Sequence, residues 1–285
     1  MAAGTCSTQD TAESAGTAWE RACEELVIWF KCGMGQGHDK AGELHEPGGK
    51  LRLYVDAPLG AGAVVAAGEG QAHYLLHVMR AKPGDRVSLF NGKNGEWLAE
   101  ISAAAKRGVT LMCLRQTAPQ TEVPDLWLLF APIKKTPSDY LVQKATELGA
   151  ARLQPVFTRR TIVARVNDER MAANAIEAAE QSGRLSVPVI GAPLDLEKAL
   201  AGWPTDRPLY FCDEGGDAKP LTEAAKPGPA AILTGPEGGF DTSERAMLRA
   251  MPFVVPVTLG PRILRADTAA LAALAIWQAE AGDFR

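Results

Sequence analysis

Between Leu51 and Ala118 the apolar positions come in short runs, "LRLYV", "RVSLF", "EWLAEI" and "GVTLMCL", parted by the turn-forming strings "KPGD", "NGKNG" and "KRG". Runs of this length, bounded by Gly, Pro, Asn and Asp, predict β-strands joined by turns. One segment, "GQAHYLLHVMRA", has helical spacing instead. The pattern predicts a small barrel or sandwich over residues 51–118 with one inserted helix, closed by the Pro-containing linker "TAPQTEVPD". From Asp125 onward apolar runs ("LWLLFAPI", "RLQPVF", "PLYFC", "AAILTG", "FVVPVTL") alternate with amphipathic stretches ("PSDYLVQKATELGA", "DERMAANAIEAAEQSG", "TSERAMLRAM", "ADTAALAALAIWQAEAG"). Strands apolar on both faces and alternating with helices predict an α/β domain, residues 119–285, around a mostly parallel sheet.

Residues 1–50 read differently. They are rich in Ala, Gly, Thr and Glu, hold one short helical pattern, "AWERACEELVIWF", and are expected to be a poorly ordered extension outside the folded body. With four basic against eight acidic side chains they lack the character of a transit peptide, and no run approaches the 18 or so apolar residues of a membrane span. Net charge is −4 overall, but residues 51–118 carry eight basic against five acidic side chains and form the one basic segment. The five cysteines are scattered, with no Cys-x-x-Cys pair, so neither a disulfide framework nor a zinc site is expected; a reducing cytoplasm is.

Two strings carry chemistry. In "AAILTGPEGGF" (230–240) an apolar strand ends in glycines that let a ligand reach main-chain groups, and Asp241 with Glu244 has capping-box spacing for the next helix. A tight strand-to-helix turn would use the same glycines; Glu237 adds a carboxylate suited to ribose hydroxyls or a cation and hostile to phosphate. No Gly-x-Gly-x-x-Gly follows the first strand of this domain and no P-loop occurs anywhere, so dinucleotides and nucleoside triphosphates are unsupported. In "LGPRILRADTAAL" (259–271) Ile263 and Leu264 suit the wall of an adenine site and Arg265 suits an anionic substrate, although an ordinary helix entry with core residues would use the same string.

With "QKATELGA" (143–150) and "EAAEQSGRLSVPVI" (177–190), these strings resemble the RsmE family, the small-subunit ribosomal RNA uracil-N3 methyltransferases, from about Leu51 to Phe284. The resemblance implies a PUA-like RNA-binding barrel followed by a SPOUT domain whose trefoil knot binds S-adenosylmethionine. It places Thr234, Gly235, Glu237, Gly238 and Gly239 in the first cofactor loop, and Leu259, Gly260, Ile263, Leu264 and Arg265 in the second. Thr268 and Ala269 close the pocket by the same match. Ala266 and Asp267 depart from the family's Thr and Glu, and Met171 stands where an aromatic residue is common. The implied reaction is methylation of uridine 1498 of 16S ribosomal RNA in the small subunit, by a homodimer to which the small-residue closing helix contributes.

Methylation at N3 must position two reactants and remove a proton. No histidine follows His77, so Arg265 and Arg184 are the candidates to hold the developing oxyanions of uracil, and Glu237 a weaker candidate base. Phosphate contacts are expected from Lys134, Lys135, Arg159, Arg160, Arg165 and Arg184 in the α/β domain and from Arg52, Arg80, Lys82 and Arg86 in the barrel. His73 and His77 are four apart, a spacing also used for metals, but with no third ligand nearby they read as structural or RNA-facing. A SPOUT enzyme for another RNA, or an assembly factor that binds ribosomal RNA without catalysis, are the alternatives.

Overall fold

The computed structural model describes residues 51–105, 108–213 and 217–284, so the expected extension over residues 1–50 lies outside the described residues. β1 (Arg52–Tyr54), β2 (Val64–Ala66), β3 (Arg86–Phe90), β4 (Glu96–Ala105) and β5 (Gly108–Ala118) form a first sheet in the order β1-β3-β4-β5-β2. All its pairs are antiparallel except β1 with β3. Period-two alternation does the sorting: β5 turns Val109, Leu111 and Cys113 inward while Met112 and Leu114 face out. Three register shifts along β4 and β5 bend this ribbon around its core, and both strands run longer than their apolar runs predict. The turn between β3 and β4 demands a glycine at Gly95, where φ is 73° and a Cβ would lie 2.2 Å from the Ala118 carbonyl oxygen.

The inserted helix departs from expectation. α1 (Glu69–His73) gives way at once to a π-helical turn (Tyr74–Val78), which anchors itself in the barrel through Leu75. Met79 N donates to Tyr74 O, Ala81 N donates to Leu75 O, and Arg80 between them has φ 53°. That bond pattern normally ends a helix on glycine.

The second domain follows as β6 (Leu126–Phe130), α2 (Lys135–Glu147), β7 (Arg152–Phe157), α3 (Asp168–Ser182), β8 (Val189–Ile190), β9 (Leu194–Asp195), α4 (Leu196–Leu200), β10 (Leu209–Cys212), β11 (Lys219–Pro220), α5 (Leu221–Ala224), β12 (Ala230–Thr234), α6 (Thr242–Ala250), β13 (Val254–Thr258) and α7 (Ala266–Ala281), its strands forming one sheet. Its order is β11-β13-β10-β12-β6-β7-β8, with β9 on β7, and every pair is parallel. Alternate strand residues feed two cores. Leu128, Tyr210, Ile232 and Val257 join α2, α3 and α7 on one side; Leu129, Phe211, Leu233 and Val156 join α4 and α6 on the other. Strands apolar on both faces are thus explained by helices on both faces. Because all strands run the same way, the loops leaving β6, β7, β10, β12 and β13 emerge at one edge.

The described residues belong to one compact unit, and a small fourth core of Phe90, Ala179 and Leu185 joins barrel to α/β domain. Arg52, expected to contact phosphate, is committed here instead. Its Nε donates to Glu96 at 2.7 Å, its Nη1 to the carbonyls of Ala179 and Glu180, and its Nη2 to that of Arg184, with the guanidinium 4.6 Å from the centre of the Phe90 ring. These carbonyls end α3, where a cation suits the orphan acceptors. Tyr54 N donates to the Glu180 carboxylate beside it, whose pKa burial pushes above the ordinary glutamate value.

Candidate functional site

A cavity of about 600 Å³ opens at the carboxyl edge of the sheet, between the loops that follow β10, β12 and β13. Ligand pockets are expected there in parallel α/β sheets, and the volume is that of a small-molecule site.

The loop after β12 begins at buried Thr234, turns through Gly235, Pro236, Glu237, Gly238 and Gly239, and enters α6. Gly239 N donates to Pro236 O at 2.9 Å, and Gly239 takes φ 65°. At Gly235 a Cβ would lie 2.7 Å from the Phe240 ring, which in turn packs edge-on to Phe211 with centroids 4.9 Å apart. The glycine therefore lets an aromatic wall close on the loop. Asp241 and Glu244 form the predicted capping box: Ser243 N donates to Asp241 and Asp241 N to Glu244. Glu244, buried, also accepts from Arg159 N across the edge.

Arg159 and Arg160 brace this loop from the end of β7. Both lie within 4 Å of the Asp241 carboxylate, and Arg160 donates to the Gly238 carbonyl. Hydrogen bonds from Ser243, then the two guanidinium charges, hold the Asp241 pKa below the ordinary aspartate value. Both arginines keep about half of their side chains or more exposed, so they remain available to an anion at this edge.

The loop after β13 supplies Leu259, Gly260, Ile263, Leu264 and Arg265, all facing the cavity, with Gly260 at φ 114°. Arg265 caps α7 through its backbone and leaves its guanidinium exposed. Ala266 and Ala269 complete this wall, whereas Thr268 turns away and bonds Asp267. The carboxylate of Asp267, one atom shorter than the Glu of the family pattern, is used locally.

A third wall comes from the end of β10 and was not singled out from the sequence: Phe211, Cys212 and Asp213. Asp213 is buried and ion-paired with Arg245 at 2.8 Å and Arg249 at 2.7 Å, tying α6 to β10; Arg249 also binds Asp217. The signal was present, since "LYFCD" is an apolar strand ending in a carboxylate, like "AAILTGPE". Burial pushes the Cys212 thiol up to about 12, so it stays neutral and serves as an apolar wall.

Arg184 is not brought to this cavity. It lies in a separate depression with Glu147, Asp283 and Phe284, donating from Nη1 to the Thr146 carbonyl, and burial lowers its pKa to about 10. Its guanidinium is a joint between α2 and the end of α3, which removes it from the oxyanion role within one chain. Lys134, Lys135 at the start of α2, and Arg165 stand exposed at the same sheet edge as the cavity, and Arg80, Lys82 and Arg86 stand exposed on the barrel. Among the described residues no group of three metal-ligating side chains occurs, and no helix is long and apolar enough to cross a membrane.

Comparison with known proteins agrees with this geometry. Residues 120–278 match the RNA methyltransferase domain family, and residues 68–111 the RNA methyltransferase PUA domain. The ribosomal RNA small subunit methyltransferase E of Rickettsia conorii is 31% identical over 79% of this chain and 93% of its own length. The protein of the same name from Synechocystis is 34% identical over 75% and 72%. Among solved structures, the ribosomal RNA small subunit methyltransferase E of Neisseria gonorrhoeae bound to S-adenosyl methionine superimposes with TM-score 0.75 at 30% identity, over 82% of this chain and 99% of that one. A Legionella pneumophila methyltransferase in complex with SAM gives TM-score 0.75 at 28% identity over the same shares.

Proposed function

Since the chain belongs to the ribosomal RNA small subunit methyltransferase E family, we propose that it methylates 16S ribosomal RNA from S-adenosylmethionine, at N3 of uridine 1498. The observation that carries the reading is the convergence of three strand-end loops on one cavity that offers main-chain groups, an apolar wall and the Glu237 carboxylate, in a chain whose sequence holds no P-loop string. A ligand with a ribose, an adenine and a sulfonium, and no phosphate, fits that set. Gly235, Gly238 and Gly239 bring backbone within reach of the ribose, Ile263, Leu264 and Phe240 wall the adenine, and Glu237 offers its carboxylate at the rim. The cofactor supplies an electrophilic methyl group.

The chain's own part is orientation and charge. Fixing two reactants in line can contribute about 7–11 kcal/mol of the barrier. Arg265, exposed at the cavity and fixed at the start of α7, holds the oxyanion that develops on uracil as N3 passes its proton to the Glu237 carboxylate or to water. Arg160, Arg159, Lys134, Lys135 and Arg165 border the same edge and take the RNA backbone. The barrel is the second RNA-binding domain of this reading, and the trefoil knot belongs to it too, supported by the all-parallel sheet and the two adjoining loops after β12 and β13.

A homodimer is part of the proposal. Ile263 at the cavity rim and Ile162 are 85% and 80% exposed, apolar surface that a second copy would cover. The alanines Ala270 and Ala273 of α7 are already used in the chain's own core, so the partner meets other residues than the small-residue face. Such an enzyme works in the cytoplasm, where the ribosomal RNA is. The test is transfer of labelled methyl from S-adenosylmethionine to small subunits from a strain lacking this gene, with mass-spectrometric mapping. N3-methyluridine at one site near the 3′ end of 16S RNA is expected; label in a different RNA overturns the substrate, and cofactor binding without transfer to any RNA overturns the activity.

A further inference from the structure

The barrel surface around the π-helical turn takes no part in the cofactor cavity, yet three observations coincide on it. First, the backbone is unusual: a π-helical turn, closed by Met79 N donating to Tyr74 O at 3.0 Å, leads into Arg80 at φ 53°. Both features carry a conformational cost and gather at functional sites. Glycine would make the same turn with less strain, so what arginine adds there is an outward guanidinium. Second, the turn exposes rings and apolar side chains. His73 and His77 are both exposed with centroids 4.7 Å apart, Tyr74 is 38% exposed and Val78 61%, with Met79 beside them. Third, Arg80, Lys82 and Arg86 follow directly and are all exposed, while the Asp85 carboxylate between them is engaged by Lys82 N at 2.7 Å.

We propose that this face is a stacking platform for unpaired RNA bases. Tyr74 and His77 receive the bases, and Arg80 with Lys82 holds the adjoining phosphates. Aromatic side chains bind single strands by stacking on base faces that a duplex conceals. The inference rests on the reading of the chain as an RNA methyltransferase and names the state of the RNA that it holds. The two agree chemically, because N3 of uracil lies on the Watson–Crick edge and can be methylated only in an unpaired nucleotide.

The test uses the full chain and fluorescence anisotropy with a labelled unpaired oligoribonucleotide of about 12 nucleotides, and a duplex of matched composition. Tyr74→Ala and His77→Ala are each expected to weaken single-strand binding about fivefold or more with an unchanged salt slope, and Tyr74→Phe to keep the parent affinity. Arg80→Ala is expected to lower the salt slope by about one. S-adenosylmethionine affinity, measured for every variant, shows that the fold is retained. Parent-like single-strand binding by both alanine variants overturns the platform, as does an equal loss of duplex binding, which would mean general charge attraction. Weakened attachment to the intact subunit alone would instead assign the face to a ribosomal protein and also overturns it. Methyl transfer by the parent to small subunits is read in parallel. If transfer occurs and the platform variants bind normally, the platform fails and the enzyme reading stands; if no RNA is methylated, the enzyme reading fails by its own assay.

Discussion

Replacing Arg52 by Ala tests whether a conspicuous basic residue serves RNA or the junction between domains. The change removes a 2.7 Å ion pair to Glu96, three hydrogen bonds to the carbonyls of Ala179, Glu180 and Arg184, and the contact with Phe90. Glu96, 16% exposed with Arg52 in place, keeps the Thr117 hydroxyl as partner, whereas the freed carbonyls at the end of α3 regain water. Breaking a buried pair from one side costs about 3–5 kcal/mol. Partial rehydration places this case near the lower end, about 3 kcal/mol, equivalent to a fall in Tm of about 6–12 °C for a folded body of this size. Thermal unfolding monitored by circular dichroism is the assay, with S-adenosylmethionine affinity and kcat/KM for the small subunit measured beside it. The cofactor Kd should stay within about twofold because the cavity is remote, while kcat/KM falls as the barrel loses its fixed relation to the cavity. Arg52→Lys should not rescue, since one ammonium cannot reach four acceptors. A variant whose Tm stays within about 2 °C of the parent, with RNA binding reduced in proportion to the lost charge, refutes the argument and returns Arg52 to the phosphate role.

Arg265→Ala should lower kcat about 100-fold or more while leaving S-adenosylmethionine affinity within a few-fold, measured by single-turnover methyl transfer; undiminished turnover removes Arg265 from the mechanism. Gly235→Ala should force the Phe240 ring aside, costing about 1–3 kcal/mol in urea unfolding and at least tenfold in cofactor affinity by calorimetry. Cys212 should resist alkylation in the native state at pH 8, where a thiol with a pKa of about 12 is about one part in ten thousand thiolate, and react only after denaturation; peptide mapping reads the difference. Glu180, whose folded pKa is raised by burial, contributes stability that is fully present below the ordinary glutamate value and is lost as pH rises through the folded one. Glu180→Gln keeps an acceptor for Tyr54 N, so it should be at least as stable as the parent at pH 7 and lose that relative advantage on acidification, a comparison made by urea unfolding at both pH values.

Much of the fold is legible because the long elements have a period. The run "AAILT" is apolar on both faces, and its strand is buried at every position between cores on either side. What escaped has no length on which a period can act. β8, β9 and β11 are two residues each, and backbone pairing with longer neighbours decides their conformation; α4 and α5, five and four residues, are too short for a helical period to show. The helical pattern over "GQAHYLLHVMRA" is satisfied only in part, because 3.6-residue spacing does not encode the switch to a π-turn.

The cavity is legible for a different reason: glycines packed at a strand end are a local statement, complete within the seven residues "TGPEGGF". Charges make no such statement. Arg52, Arg160, Arg184, Arg249 and Arg265 are alike as letters, and their fates depend on which carbonyls and carboxylates the chain brings near from far along the sequence. Arg52 meets carbonyls 127 to 132 positions away, Arg184 meets one 38 positions away, and Arg249 meets Asp213 36 positions back. Arg160 is shared, bonding a carbonyl of the cofactor loop and facing solvent, and Arg265 keeps its guanidinium exposed at the cavity. Desolvation separates these roles: a guanidinium that is lowered in pKa or surrounded by carbonyls has exchanged water for the protein and cannot also bind phosphate cheaply. Arg159, Arg160 and Arg265 have made that exchange only in part or not at all and keep much of their side chains in water, which is why the proposed substrate contacts fall on them and not on the joint at Arg52 and Arg184.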